Sequence, residues 1–96
     1  MPQNTTITVS PEWTLLTDAN VTDLTFQVIG VGGGPVFIAG TNGTTAPADD
    51  ALGLSYEPGQ GEADRALADL FPGVSGVNRL WAKTSAGSTG VFVSHA

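Results

Sequence analysis

Asn78-Arg79-Leu80-Trp81-Ala82-Lys83-Thr84, then Ser85-Ala86-Gly87-Ser88, then Thr89-Gly90-Val91-Phe92-Val93-Ser94-His95-Ala96 is the stretch that decides the fold. The first and last segments carry the β-branched and aromatic residues of strands, and the Ser/Gly segment between them is turn chemistry. Read as a hairpin that closes a small Gly/Thr-rich β domain, it fits a scaffold or binding unit better than an enzyme.

Working back from that hairpin, the same signals recur. Leu24-Thr25-Phe26-Gln27-Val28-Ile29-Gly30 alternates, with Leu24, Phe26 and Val28 on one face. Gly32-Gly33-Gly34-Pro35 interrupts it and Val36-Phe37-Ile38-Ala39-Gly40-Thr41 follows, which predicts a second hairpin over residues 24–41. Trp13–Thr17 and Leu52–Tyr56 are shorter strand candidates, and Pro58-Gly59 suits a type II turn. The one helix-like stretch is 62–71, where Ala66, Leu67, Leu70 and Phe71 form a stripe that Pro72-Gly73 ends. The expectation is an all-β fold, a small sandwich or barrel of about six to seven strands with one short helix near residues 63–71.

The chain of 96 residues has room for one core. Residues 1–12 are polar and bracketed by Pro2 and Pro11; they predict an N-terminal arm with a short β segment at Thr6-Ile7-Thr8-Val9, ahead of a single β domain over 13–96. There is no cysteine, so disulfides and thiolate metal sites are excluded. The first residues have no basic region followed by an apolar run, so no signal peptide is expected. No stretch approaches the roughly 20 apolar residues of a membrane helix.

Nine acidic residues face three basic ones, for a net charge of -6. Arg65, Arg79 and Lys83 are scattered, which argues against nucleic acid and against an anionic membrane surface as partners. Charged residues make up only 12% of the chain, and charge is depleted at interface cores, so part of the surface is expected to face a partner.

Motifs that could carry chemistry have ordinary readings. Gly30-Val31-Gly32-Gly33-Gly34 is followed by Pro35 and a strand, whereas a phosphate loop needs a helix there. Asp49-Asp50 and the Glu62/Asp64 pair lack the alternation of a calcium loop. His95 is the only histidine and has no nucleophile elbow to serve. Three Asn-X-Thr sequons, at Asn4, Asn20 and Asn42, are chance matches in a Thr-rich chain. No enzyme, cofactor or metal is expected.

The aromatic residues leave a choice open. If Leu80 faces the core, Trp81 faces outward; if Trp81 is core, Arg79 and Lys83 share its face. As exposed anchors, the interface candidates are Ile7, Val9, Trp13, Phe37, Trp81, Phe92 and His95.

Three segments resemble small virion structural proteins of tailed bacteriophages, of the head-decoration kind. They are Trp13–Asp18 with Thr25-Phe26-Gln27, Tyr56–Glu62 leading into Leu67–Gly73, and Arg79–Lys83 closing on Val93–Ala96. The resemblance implies a capsid decoration (cement) protein on the virion head, made in the host cytoplasm. Its partner would be the major capsid protein and its own assembly a homo-oligomer, with a trimer favoured. Residues 2–12 would clamp a neighbour's sheet edge, with Trp13 anchoring the arm. One alternative is a receptor- or glycan-binding module of a fibre or spike, using Trp81 with Asn78 or Trp13 with Asn20. Another is a connector or tail subunit.

Overall fold

A computed structural model describes residues 3–29, 35–51 and 53–96. The described chain is all-β with one helical turn: β1 (Gln3–Val9), β2 (Thr14–Leu15), β3 (Asp23–Val28), β4 (Val36–Thr41), β5 (Leu54–Tyr56), β6 (Gly61–Ala66), α1 (Leu67–Leu70), β7 (Arg79–Thr84) and β8 (Thr89–His95). The strands form two four-stranded antiparallel sheets, ordered β1-β8-β3-β6 and β2-β7-β4-β5.

Alternation decides what each strand buries. Along β8, Thr89, Val91, Val93 and His95 point inward, and Gly90, Phe92 and Ser94 point outward. Leu24, Phe26 and Val28 of β3 lie beside them. Val36 and Ile38 of β4 and Leu80 and Ala82 of β7 supply the opposing layer, all fully buried. Phe26 meets Tyr56 of the other sheet edge-on, with ring centroids 5.1 Å apart.

The topology corrects both predicted hairpins. β7 and β8 occupy their expected positions, but in different sheets, and so do β3 and β4. Ser85–Ser88, with Gly87 at φ +68°, is an arch from one layer to the other. The physical reason lies in the apolar pattern. Leu80 and Ala82 and then Val91 and Val93 can be buried side by side in one sheet or face to face across two. Both arrangements satisfy alternation, and only the second closes a core between layers. Gly30–Gly34 and Leu52 lie outside the described residues, so the glycine-rich loop and the start of the expected 52–56 strand do too.

Residues 3–9 are a strand of the domain rather than an arm. β1 pairs with β8 without a break from Gln3↔His95 to Val9↔Thr89. Val9 is fully buried and Ile7 packs on the core, so the alternation that suggested a short β segment commits the whole stretch to the sheet.

The helix is also shorter than expected. Residues 61–66 form β6, paired with β3 through a bulge between Leu24 and Phe26, and Asp64 sits at φ +49°. A helix of about ten residues is marginal in water, whereas β3 offers a ready ladder. Only α1 survives, with Leu67 fully buried. The Pro58-Gly59 turn forms as expected, with Gly59 at φ +90° and Gln60 N–H donating to Glu57 O over 2.9 Å.

Candidate functional site

The outer face of the β1-β8-β3-β6 sheet is the candidate site. Cross-strand register arranges it in rows. Asn4, Ser94 and Thr25 form one row; Thr6, Phe92 and Gln27 form the next, continued by Gly61; Thr8 and Gly90 begin a third. Phe92 is therefore a half-buried aromatic ring set among hydroxyls and amides. The side chains around it are partly ordered. Thr25 Oγ1 accepts from Asp64 N–H at 2.8 Å, and Gln27 Nε2 donates to Gly59 O at 3.2 Å. A shallow depression of about 340 Å³ runs over Thr25, Gln27, Gly61, Ala63 and Phe92, with Glu62 also in its lining. None of the residues in the first two rows is charged, although the chain carries -6. Asp23, at the start of β3, and Asp64, on β6, are the acids at the margin of these rows.

The opposite face, on the β2-β7-β4-β5 sheet, is closed from within. Leu80 faces the core and Trp81 lies on the outer side of the pleat, yet Trp81 is only 7% exposed. Its Nε1 donates to Thr41 Oγ1 at 2.8 Å. Beside it, Lys83 Nζ stands 4.7 Å from the centre of the Trp13 ring and donates to Asp49 O at 2.6 Å. Trp13 Nε1 donates to Ala48 O at 2.9 Å. Trp13 and Lys83 thus hold the segment after β4 over this sheet. Phe37, on the same face opposite Lys83, is half-buried. Trp81 is taken up in this second, smaller core and is not available as a surface anchor in the monomer. The same holds for Val9 in the main core.

The third cluster surrounds His95, whose side chain has no solvent exposure. Gln3 Oε1 accepts from Asp18 N–H at 2.9 Å, and Gln3 Nε2 donates to Leu16 O at 2.8 Å. That pair fixes the amide, so Oε1 is an acceptor and His95 Nε2, 2.8 Å away, is the donor. Asp18 Oδ1 lies 3.2 Å from the same nitrogen, and Nδ1 lies 2.9 Å from Ala96 O. The cluster ties together β1, the turn after β2 and the end of β8. It is a structural staple rather than an exposed interface.

The three cations are all engaged within the monomer: Arg65 with Glu62 at 3.2 Å, Arg79 with Asn20 and Thr17 O, and Lys83 as above.

Of the seven sequence candidates, Phe92 alone sits centrally in the uncharged rows of this face, and Ile7 lies on the strand at its edge, pointing inward. Trp13, Phe37 and Trp81 gather on the other sheet, and Val9 and His95 are buried. The residues missed were Asn4, Thr6, Thr25, Gln27 and Ser94. Their signal was present as polar, uncharged residues at alternate positions in three strands, but which strands adjoin was not legible. Comparison with known proteins finds no matching family model, and no curated protein or solved structure that matches the chain.

Proposed function

We propose that the protein is a virion structural protein of the capsid-decoration kind, which seats on a head and bridges neighbouring major capsid subunits. The observation that carries this reading is the outer face of the β1-β8-β3-β6 sheet. Its two central rows, Asn4–Ser94–Thr25 and Thr6–Phe92–Gln27, carry no charge across β1, β8 and β3 and are centred on Phe92. Depletion of charge around an aromatic residue is the composition of a protein–protein interface core. Asp23 and Asp64 at its margin suit a polar rim. Docking through a sheet face asks no rearrangement of the domain. Many weak identical contacts on a shell then add by mass action. The sequence resemblance to head-decoration proteins agrees with this mode of action.

The glycan-binding alternative loses its best-placed residues. Trp81 is covered, Asn20 holds Arg79, and Asn78 Oδ1 accepts from Gly43 N–H at 2.8 Å.

The test is co-sedimentation with emptied capsid shells, comparing the unmodified protein with Phe92→Lys and with Ser85→Lys on the distant arch. The expected result is binding that Phe92→Lys abolishes and Ser85→Lys leaves unchanged, with both variants folded by circular dichroism. Equal binding by the folded Phe92→Lys variant would falsify this use of the face.

A further inference from the structure

We infer that the free edge of β1 is an interface between two copies of this chain, which pair β1 to β1 antiparallel about a two-fold axis perpendicular to the sheet.

An unpaired strand edge is a template for another strand, and proteins blunt such edges with short strands, bulges, charge or proline. Three of the four edges here carry these devices. β2 has two residues and β5 has three. β6 has a bulge, a positive φ at Asp64 and the charged residues Glu62, Asp64 and Arg65. β1 has none: seven residues in unbroken register, with no charge, proline or bulge. Among the described residues, its backbone bonds only to β8. Asn4, Thr5, Thr6 and Thr8 are exposed along it.

The sequence of the strand suits pairing with itself. An antiparallel match centred on Thr6 places Thr6 opposite Thr6 of the second copy, Asn4 opposite Thr8, and Thr5 opposite Ile7. Residues of like parity meet, so the outward faces of both copies run on as one surface and the main-chain groups pointing off the edge meet their counterparts. Thr–Thr and Thr–Asn pairs on the solvent face are favourable cross-strand neighbours. Charge also favours this edge. Each copy carries -6, and self-association needs a strand without acids. β6, which carries acids, lies at the far side of the sheet. The contact is isologous and closes at two copies, in place of the three-fold assembly that the sequence resemblance implies. The paired molecule would present a continuous eight-stranded sheet, doubling the face proposed above to meet a capsid. The pairing itself does not depend on that reading.

The test uses the absence of native cysteine. Thr6→Cys and Thr8→Cys are each oxidised in dilute solution and run on a non-reducing gel. At a two-fold through position 6 the two Cα atoms of that position stand about 4.5–5.5 Å apart, within disulfide range, whereas Thr8 faces Asn4. The expected result is a disulfide-linked pair for Thr6→Cys and none for Thr8→Cys. Light scattering over a concentration series should show a monomer–dimer equilibrium. Thr5→Lys, a charge at the edge pointing away from the capsid-facing side, should weaken it by roughly tenfold or more. A monomer at all concentrations, a three-copy species, or equal cross-linking of both cysteine variants would overturn the pairing. Loss of shell binding by Phe92→Lys with an intact dimer would separate the two proposals.

Discussion

Tyr56 on β5 of one sheet donates its phenolic hydrogen to Glu62 Oε2 on β6 of the other, over 3.2 Å. The bond bridges the two sheets at the side where both end in poorly paired edges. Phe26 packs edge-on against the same ring. Burial, and then the charge and hydrogen bond of Glu62, push the Tyr56 hydroxyl up to about 12.

A pH dependence follows. The folded state holds this proton more tightly than the unfolded chain, whose phenol titrates near 10. The contribution to stability is therefore complete below pH 10 and is lost as pH rises from about 10 to 12. Because Tyr56 is the only tyrosine, ultraviolet absorbance reads its ionisation directly. The midpoint is expected near 12 in the native protein and lower in Glu62→Gln. A native midpoint at the ordinary tyrosine value would show that the bridge does not form.

Gly61 and Gly59 predict contrasting costs two positions apart. A Cβ at Gly61 would lie 2.0 Å from Phe26 O, a backbone atom that cannot give way without moving β3. Gly61→Ala should destabilise by about 1–3 kcal/mol through overpacking, with the β3-β6 ladder loosened. At Gly59 the space is open and only the φ of +90° opposes a side chain. Gly59→Ala should cost about 1–2 kcal/mol through backbone strain alone. Urea denaturation of the two variants, with hydrogen exchange across β6, distinguishes them: only Gly61→Ala should lose protection in the strand.

Trp81 should behave as a core residue despite facing away from the main core. Trp81→Ala is expected to cost about 3–5 kcal/mol. Trp13→Ala should cost less and should shift the emission of the remaining tryptophan to the red as the covering segment lifts. An unshifted spectrum in Trp13→Ala would mean that Trp81 is shielded without its neighbour.

Removing residues 2–12 should unfold the domain instead of releasing an appendage. The deletion takes away the β1 partner of β8, the buried Val9 and the Gln3 contacts of His95. Gln3→Ala isolates the last of these, leaving His95 Nε2 without its amide acceptor, and should cost about 1–3 kcal/mol in thermal unfolding. A cooperative, unshifted transition for the deletion would return residues 3–9 to the status of an arm.

The all-β class, most strand positions and the Pro58-Gly59 turn were determined by sequence alone, because alternation, β-branching and turn chemistry act over a few residues. Leu24, Phe26 and Val28 mark a buried face wherever their strand ends up. What only the tertiary structure decided was which strand adjoins which. Ser85–Ser88 could close a hairpin or an arch, and the gain from facing two apolar layers across a core chose the arch. The same long-range terms turned residues 62–66 from helix into strand, since β3 supplied hydrogen-bond partners that no local propensity records. They buried Trp81 on the outer side of its sheet, where its indole N–H bonds Thr41 of β4, and they joined Gln3 to His95 from opposite ends of the chain. The uncharged rows around Phe92 and the open edge of β1 belong to this second kind. Each is made of ordinary Thr, Asn, Gln and Ser residues, and becomes a surface only when β1, β8 and β3 lie side by side.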